Sequence, residues 1–116
     1  VFNRTLSSAK ALAEKYGFEY SDLSPQCIDK LNSYSGLIIQ TTSVGMNSDG
    51  ISRPETDPIH FYNFKGNEIV YDIIYTPAVT PVMKRAAQAG CKTCNGLKML
   101  QYQGYMQFKI FTGEDY

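Results

Sequence analysis

The stretch Asn67-Glu-Ile-Val-Tyr-Asp-Ile-Ile-Tyr-Thr-Pro-Ala-Val-Thr-Pro81 decides the fold of this chain. Its segment 69–74 is rich in β-branched residues and nearly continuous in its apolar character, which is typical of a strand covered on both faces in a parallel sheet. The strand is expected to stop before Pro77, because proline donates no backbone hydrogen bond and disfavours helix at the residue before it.

A helix is predicted to follow this strand, with Thr80 as its N-cap and Pro81 at its first helical position. Tyr75 therefore lies in the loop between a buried strand and the next helix. In an open α/β sheet, the carboxyl ends of the strands are where ligands bind. Tyr75 is thus a candidate ligand contact.

Strands and helices alternate through the remaining sequence. This alternation predicts βαβ units, a parallel sheet and, with right-handed crossovers, a doubly wound Rossmann-like α/β fold in a single domain over 1–116. The predicted strands lie at Val1-Phe2, Phe18–Tyr20, 36–42, 67–74 and 91–94, and the predicted helices lie at about 6–16, 24–31, 81–89 and 96–111, with a loop-rich segment over 43–65.

The composition limits the classes of function. The 116 residues carry 11 basic and 11 acidic side chains, so the charge gives no case for a nucleic-acid partner or an acidic membrane surface. No apolar run approaches the ~20 residues of a membrane span. The three cysteines form no disulfide framework, which indicates a reducing compartment, and we expect a cytoplasmic location.

The first residues form a candidate anion site. Asn3-Arg4-Thr5 follows a predicted strand and carries no carboxylate. At this point of a dinucleotide-binding fold, an acidic residue binds the ribose 2′-hydroxyl of NAD, whereas an arginine accommodates the 2′-phosphate of NADP. The hydroxyl of Thr5 and the helix N-terminus add donors to the same anion. The alternative is an ordinary solvated arginine.

Two further segments contain candidate binding residues. Thr41–Met46 follows a predicted strand, and its hydroxyls and glycine either line a cofactor cleft or form an ordinary turn. In the last helix, Gly96, Met99, Gln103 and Met106 share one face. A glycine at the helix start admits a flat ring, and Gln103 suits a small polar substrate, although a plain surface glutamine is the alternative.

Other reactive side chains are interpreted as structural. Cys91 and Cys94 form a C-x-x-C, but a redox pair normally lies at a helix N-terminus, and a zinc site needs about four ligands. His60 is the only histidine and lies far from them, so we predict no metal site. Asp72 lies in a buried strand and must have hydrogen-bond partners there.

Four motifs occur in order along the chain: Asn3-Arg4-Thr5, Thr41–Met46, Val70–Pro81 and Gly96–Gln103. This ordered set resembles the shikimate dehydrogenase family over essentially the whole sequence. The resemblance implies a two-domain enzyme of aromatic amino acid (chorismate) biosynthesis that reduces 3-dehydroshikimate to shikimate with NADPH. The present chain is similar to its second, NADP-binding domain without the first strand, the Gly-rich loop and the adjoining helix.

The resemblance also implies residue roles. Asn3, Arg4 and Thr5 would hold the adenosine 2′-phosphate, and the family's catalytic lysine and aspartate would lie in the absent N-terminal substrate domain, so we expect no catalytic residue and no activity in this chain alone. Helix 96–111 would pack toward that domain. The implied cofactor contacts are Asn3, Arg4, Thr5, Ser8, Thr42, Ser43, Val44, Ile73 and Gly96, and the implied substrate contacts are Tyr75 and Gln103.

Some positions depart from the family pattern and leave alternatives open. Asn95 replaces an aspartate that is common in the family, and Lys98 replaces a common glycine. Gly104-Tyr105 replaces the usual Ala-Ala. Some family members that are fused behind a dehydroquinate dehydratase also carry a charged residue at the position of Lys98. A bifunctional parent enzyme is therefore one alternative. A second alternative is that the substrate is quinate, and a third is that the chain is a non-catalytic nucleotide-binding module. The parent enzyme could also be a homodimer.

The chain starts at Val1 without an initiator methionine, and we expect it to be an excised piece of a longer protein. In the strand order 3-2-1-4-5-6 of this fold the first strand is central. Without that strand, its two neighbours are expected to flank a gap with unpaired edges.

Overall fold

The computed structural model describes all 116 residues. Five short strands and four α-helices alternate along the chain, except that a long loop without a helix joins the third strand to the fourth. This loop is the loop-rich segment that the sequence predicts. The elements are β1 (Phe2–Asn3), α1 (Leu6–Tyr16), β2 (Ser21–Asp22), a 3₁₀ turn (Pro25–Cys27) that continues into α2 (Ile28–Ser33), β3 (Leu37–Gln40), β4 (Ile69–Asp72), α3 (Pro81–Gln88), β5 (Lys92–Cys94) and α4 (Leu97–Thr112). The strand predicted at Phe18–Tyr20 is displaced to Ser21–Asp22, where the backbone pairs with β1.

All strand pairs are parallel, which confirms the predicted α/β class, but they form two separate sheets. One sheet pairs β1 with β2, and the other has the order β3-β4-β5. No strand joins β1 to β3. A groove of about 460 Å³ lies between the two sheets, and its lining includes Phe2, Leu37 and Ile39. The expected gap at the centre of the doubly wound order is therefore present.

The main core lies where α3 packs onto the sheet and the loop before β4. Val82 and Met83 are buried in it, and Ala86 packs on Val70 of β4. Ala86 lies four residues after Val82 and three after Met83, so the three side chains share one face of α3. The other core members are Cys27, Leu31, Ile59 and Tyr62.

The opposite face of the larger sheet is open. Leu37, Ile39 and Ile69 are each about half exposed, at 54%, 56% and 45%. The prediction that β4 is covered on both faces is therefore wrong for this chain. The physical reason is that α3 covers only the Val70 side, while no residue of α4 is buried.

The residues at the helix ends are mostly those that the sequence predicts, but one of their hydrogen bonds differs. Gly17 ends α1 at a φ of 70°, where a residue without Cβ is favoured. Pro81 opens α3 as predicted. Thr80 occupies the N-cap position, but its hydroxyl makes no cap hydrogen bond and donates to Asp72 instead, at 2.7 Å. Among all the helices, none has the length and apolar character needed to cross a membrane.

Candidate functional site

Three strand ends meet at one edge of the larger sheet. The register pairs Gln40 of β3 with Asp72 of β4, and Tyr71 of β4 with Cys94 of β5. The loops that follow these strands therefore emerge side by side. This is the edge at which parallel α/β sheets bind ligands.

A cleft of about 480 Å³ opens between the first two loops. Its size is that of a small-molecule site. Its lining includes the predicted cofactor and substrate contacts Thr42, Ser43, Ile73 and Tyr75. The complete lining is Thr41, Thr42, Ser43, Met46, Asn47, Ile73, Ile74, Tyr75 and Thr76.

The side chain of Gln40 forms hydrogen bonds with the backbone of the loop after β3. Its Nε2 lies 3.2 Å from the carbonyl oxygens of both Thr42 and Val44, and its Oε1 accepts a hydrogen bond from the Thr42 N–H. The Thr42 hydroxyl accepts from the Val44 N–H at 3.1 Å. Ser43 stays exposed at the tip of the loop, where its hydroxyl is free to meet a ligand.

The loop after β4 is held by the fully buried Asp72. Its Oδ1 accepts from the Ile74 N–H at 3.0 Å, and its Oδ2 accepts from the Thr80 hydroxyl. The expectation that Asp72 has hydrogen-bond partners is confirmed. The chain then turns through a cis Thr76–Pro77 peptide, and Tyr75 is left half exposed in the cleft.

The start of α4 is packed tightly against the loop after β4. An ideal Cβ on Gly96 would lie 1.8 Å from the carbonyl oxygen of Ile73, and the Gly96 N–H donates to the Ile74 carbonyl at 3.1 Å. The sequence predicts that a flat ring approaches this glycine. In the structure, the group that approaches Gly96 is protein backbone.

Asn95 adds a second connection at the same point. Its Nδ2 donates to the Ala78 carbonyl at 2.9 Å, and its Oδ1 accepts from the Leu97 N–H at 3.1 Å. The aspartate that is common at this position could accept the second bond but could not donate the first. The amide therefore ties the first turn of α4 to the loop after β4.

Gln103 lies in a different depression from Tyr75. This depression measures about 870 Å³ and lies between Tyr71 and one face of α4, which presents Met99, Gln103 and Met106 together, as their spacing predicts. Within this chain, Tyr75 and Gln103 do not share a cavity, and Gly96 lines neither of the two cavities.

The predicted anion site lies at the end of β1, on the smaller sheet. Asn3, Arg4, Thr5 and Ser8 are all exposed. The Asn3 Oδ1 accepts from the Thr5 N–H at 2.8 Å and so shapes the entry to α1. No acidic residue lies in the first turn of α1, and none of the ion pairs in the structure gives the Arg4 guanidinium a carboxylate partner. This end of the helix is therefore favourable for an anion.

The C-x-x-C pair lacks the features of a reactive site. Cys91 is buried, and its thiol lies 3.2 Å from Oε2 of Glu68. Burial and the neighbouring Glu68 carboxylate raise the pKa of the Cys91 thiol. A raised pKa lowers the thiolate fraction, which is the nucleophilic form. Cys94 is exposed, at the end of a strand instead of a helix N-terminus.

Comparison with known proteins connects these features. No family model matches the chain. The chain is 40% identical over 113 residues to the shikimate dehydrogenase (NADP(+)) of Ignicoccus hospitalis, and this match covers 97% of the chain. This chain is a homologue of the shikimate dehydrogenases. It spans about 40% of the length of that relative.

Solved shikimate dehydrogenases have the same fold. The enzyme of Aquifex aeolicus matches 99% of the chain with a TM-score of 0.78 and 33% identity, and the chain covers 39% of it. The enzyme of Thermus thermophilus, solved in complex with NADP(H) and shikimate, matches 99% of the chain with a TM-score of 0.74 and 28% identity, and the chain covers 40% of it. The predicted resemblance to the shikimate dehydrogenases and the truncated Rossmann-like fold are thereby confirmed.

Gln40 and Asn95 are the structural residues of this shikimate dehydrogenase homologue that sequence reasoning missed. Asn95 appeared only as a departure from the family pattern. Gln40 is a lone polar residue at the end of the apolar run Leu37–Gln40. A polar side chain that is buried at a strand end needs partners, and that was the signal available in the sequence.

Proposed function

We propose that this chain is the NADP-binding part of a shikimate dehydrogenase, an enzyme that reduces 3-dehydroshikimate to shikimate with NADPH. The observation that carries the proposal is the cleft at the ends of β3 and β4, which brings Thr42, Ser43, Ile73 and Tyr75 together in a chain that is similar to such enzymes over its whole length. When bound, NADPH supplies the hydride.

The exposed end of β1 fits the phosphate end of the cofactor. An arginine without a carboxylate partner and a helix start without acidic residues are suited to the adenosine 2′-phosphate. Asn3, Arg4, Thr5 and Ser8 would hold that group. The remaining cofactor contacts would come from Thr42, Ser43 and Val44, from Ile73, and from the backbone around Gly96.

The residues on the substrate side are suited to binding and orientation. The Tyr75 hydroxyl and the Gln103 amide can each donate and accept hydrogen bonds to the hydroxyl and carboxylate groups of shikimate. Holding the substrate in register with the cofactor accelerates the reaction through positioning. The lysine and aspartate that transfer the proton in the family would lie in the substrate domain.

The exposed side of α4 supports an interface with that substrate domain. No residue of α4 is buried, although its sequence is rich in large apolar side chains, among them Leu97, Leu100, Met106 and Phe108. An apolar patch of this kind marks an interaction surface. We place the substrate domain there.

The three free cysteines are consistent with a cytoplasmic location, because thiols stay reduced in that compartment. A homodimer of the parent enzyme stays a prediction.

Calorimetric titration of the chain with NADP⁺ and NAD⁺, together with an assay for NADP⁺-dependent oxidation of shikimate, tests the proposal. We expect NADP⁺ to bind and no turnover, because the proton-transfer pair is absent. Turnover by the chain alone would refute the assignment of catalysis to the other domain. The Gly-rich loop of the family would lie outside this chain, so the cofactor assignment fails if neither nucleotide binds the parent protein.

A non-catalytic nucleotide-binding module would give the same result as the expected one. The sequence upstream of Val1 in the parent protein separates the two functions. A Gly-rich loop preceded by a domain with the lysine and the aspartate supports the enzyme. Their absence supports the non-catalytic module.

A further inference from the structure

The two loops that form the cleft are connected through one buried side-chain pair. Gln40 is 6% exposed and Asp72 is fully buried. The Nε2 of Gln40 lies 3.2 Å from Oδ1 of Asp72. Neither side chain lines the cleft itself, because both lie behind it, at the last positions of β3 and β4.

Each member of the pair fixes a different loop. Gln40 bonds the backbone of Thr42 and Val44 in the first loop. Asp72 bonds the Ile74 N–H in the second loop and the hydroxyl of Thr80 at the start of α3. The direct Gln40–Asp72 contact then joins the two sets of hydrogen bonds into one buried network.

The same network sets how closely the first loop approaches α3. Gly45 is buried with a φ of +106°, and a Cβ on it would lie 3.4 Å from the Cβ of Thr80 and 3.2 Å from the carbonyl oxygen of Thr56. The loop therefore rests on Thr80, the residue that Asp72 holds. Movement of Asp72 would reach both walls of the cleft.

We propose that Gln40 and Asp72 are positioning residues, which hold the two walls of the cleft at a fixed separation before any ligand binds. We call this pair and its hydrogen bonds the Gln40–Asp72 clasp. A site that is already ordered avoids the entropy cost of ordering its loops on binding. The part of the proposal that concerns NADP⁺ affinity rests on the proposed function, whereas the ordering of the loops does not.

Amide hydrogen exchange of the full chain without ligand tests the clasp directly. In the variant Gln40→Leu, the Thr42 N–H loses its acceptor, and we expect its exchange to become about tenfold faster relative to the Ala86 N–H in α3, as expected for the loss of one hydrogen bond. Tyr62→Phe is the matched control, because it removes a buried hydrogen bond to Glu68 that lies outside the cleft.

Exchanging the amide and the carboxylate between positions 40 and 72, in two steps, gives a second test. Gln40→Glu places a carboxylate oxygen against Asp72, so both loops should loosen. Adding Asp72→Asn restores one donor and one acceptor between the two positions. We expect the double variant to recover part of the protection of the Thr42 and Ile74 amides that the single variant Gln40→Glu loses.

The results separate the clasp from the proposed function. If the loop amides exchange as in the wild type in Gln40→Leu, or if Tyr62→Phe loosens them equally, the clasp is overturned. NADP⁺ titration then provides the functional readout: we expect about tenfold weaker binding for Gln40→Leu and unchanged binding for Tyr62→Phe. Failure of the parent protein to bind NADP⁺ overturns the proposed function, while the exchange result still decides the clasp.

Discussion

Gly96 and Ile73 are in such close contact that no side chain fits between them. A Cβ on Gly96 would lie 1.8 Å from the Ile73 carbonyl oxygen and 2.5 Å from the carbonyl carbon. Both groups belong to backbone that further hydrogen bonds hold in place, since Gly96 donates to Ile74. The first turn of α4 is thereby positioned against the loop that carries Tyr75.

Replacement of Gly96 tests this contact. We expect Gly96→Ala to destabilise the fold by about 1–3 kcal/mol or more, because backbone must shift to admit the methyl group. Gly104→Ala is the matched control in the same helix, where a Cβ would meet nothing within 4 Å. It should stabilise by about 0.5–1 kcal/mol through helix propensity. Urea denaturation measures both, and equal effects of the two variants would contradict the close contact.

Glu68 is expected to make stability depend on acid pH. Burial alone would raise the pKa of this carboxyl, but hydrogen bonds from the Lys65 N–H, the Tyr62 hydroxyl and the Cys91 thiol outweigh burial and lower the pKa to about 2, from an ordinary value of 4.5. The folded state therefore binds the proton less tightly than the unfolded state. The stabilisation is complete above about pH 5 and is lost as the pH falls through 4.5 toward 2.

Denaturation midpoints measured from pH 6 down to pH 2 check this dependence. A pKa difference of that size corresponds to about 3 kcal/mol. Glu68→Gln should be less stable at neutral pH and should show a flatter profile at acid pH. Glu14→Gln, on the exposed face of α1 and paired only with Lys10, should keep the wild-type slope. An unchanged slope in Glu68→Gln would contradict the assignment.

Arg85 is expected to be a large contributor to stability. Its Nε donates to Oδ2 of the fully buried Asp57 at 2.7 Å, and its two terminal nitrogens donate to the carbonyls of Tyr62 and Ile59 at 2.8 Å each. Arg85→Met should cost about 3–5 kcal/mol, because the buried Asp57 carboxylate would lose its cationic partner. Adding Asp57→Asn should recover part of the loss. Thermal unfolding of the single and double variants measures this, and strict additivity would exclude the coupling.

Sequence patterns predicted most of the elements because each follows from local chemistry. Pro81 after Thr80 opens α3, and Gly17 ends α1. The error at β4 has a different origin. The β-branched pattern of 69–74 indicates a strand covered on both faces, and this chain covers only one of them. The pattern therefore indicates burial in a larger assembly, which fits a chain that spans about 40% of its relative.

The connections within the candidate site could be predicted only in part. Tyr75 and the segment Thr41–Met46 were predicted to contact a ligand because each follows a buried strand. Ile73 was implied only by the resemblance to the shikimate dehydrogenase family. The role of Gln40 depends on which loop backbone atoms its amide reaches, and a single sequence does not encode that distance in any periodic pattern. The contact of Gly96 with Ile73 is hidden for the same reason, since it joins residues on different elements.

The preference for NADP over NAD is expected to depend on Arg4. Its guanidinium is exposed and has no carboxylate partner among the ion pairs of the structure, so it is available to pair with a 2′-phosphate. We expect Arg4→Ala to weaken NADP⁺ binding by about tenfold or more, in line with the ~1.5–3 kcal/mol of a hydrogen bond to a charged group, and to leave NAD⁺ binding nearly unchanged.

Lys10→Ala is the control, because it removes one positive charge from the same helix at a residue paired with Glu14. Calorimetry with both nucleotides at two salt concentrations measures the effect, since an ionic contact weakens as salt rises. Equal losses for NADP⁺ and NAD⁺, or an equal effect of Lys10→Ala, would show that Arg4 acts through general charge and would leave the 2′-phosphate without its proposed partner.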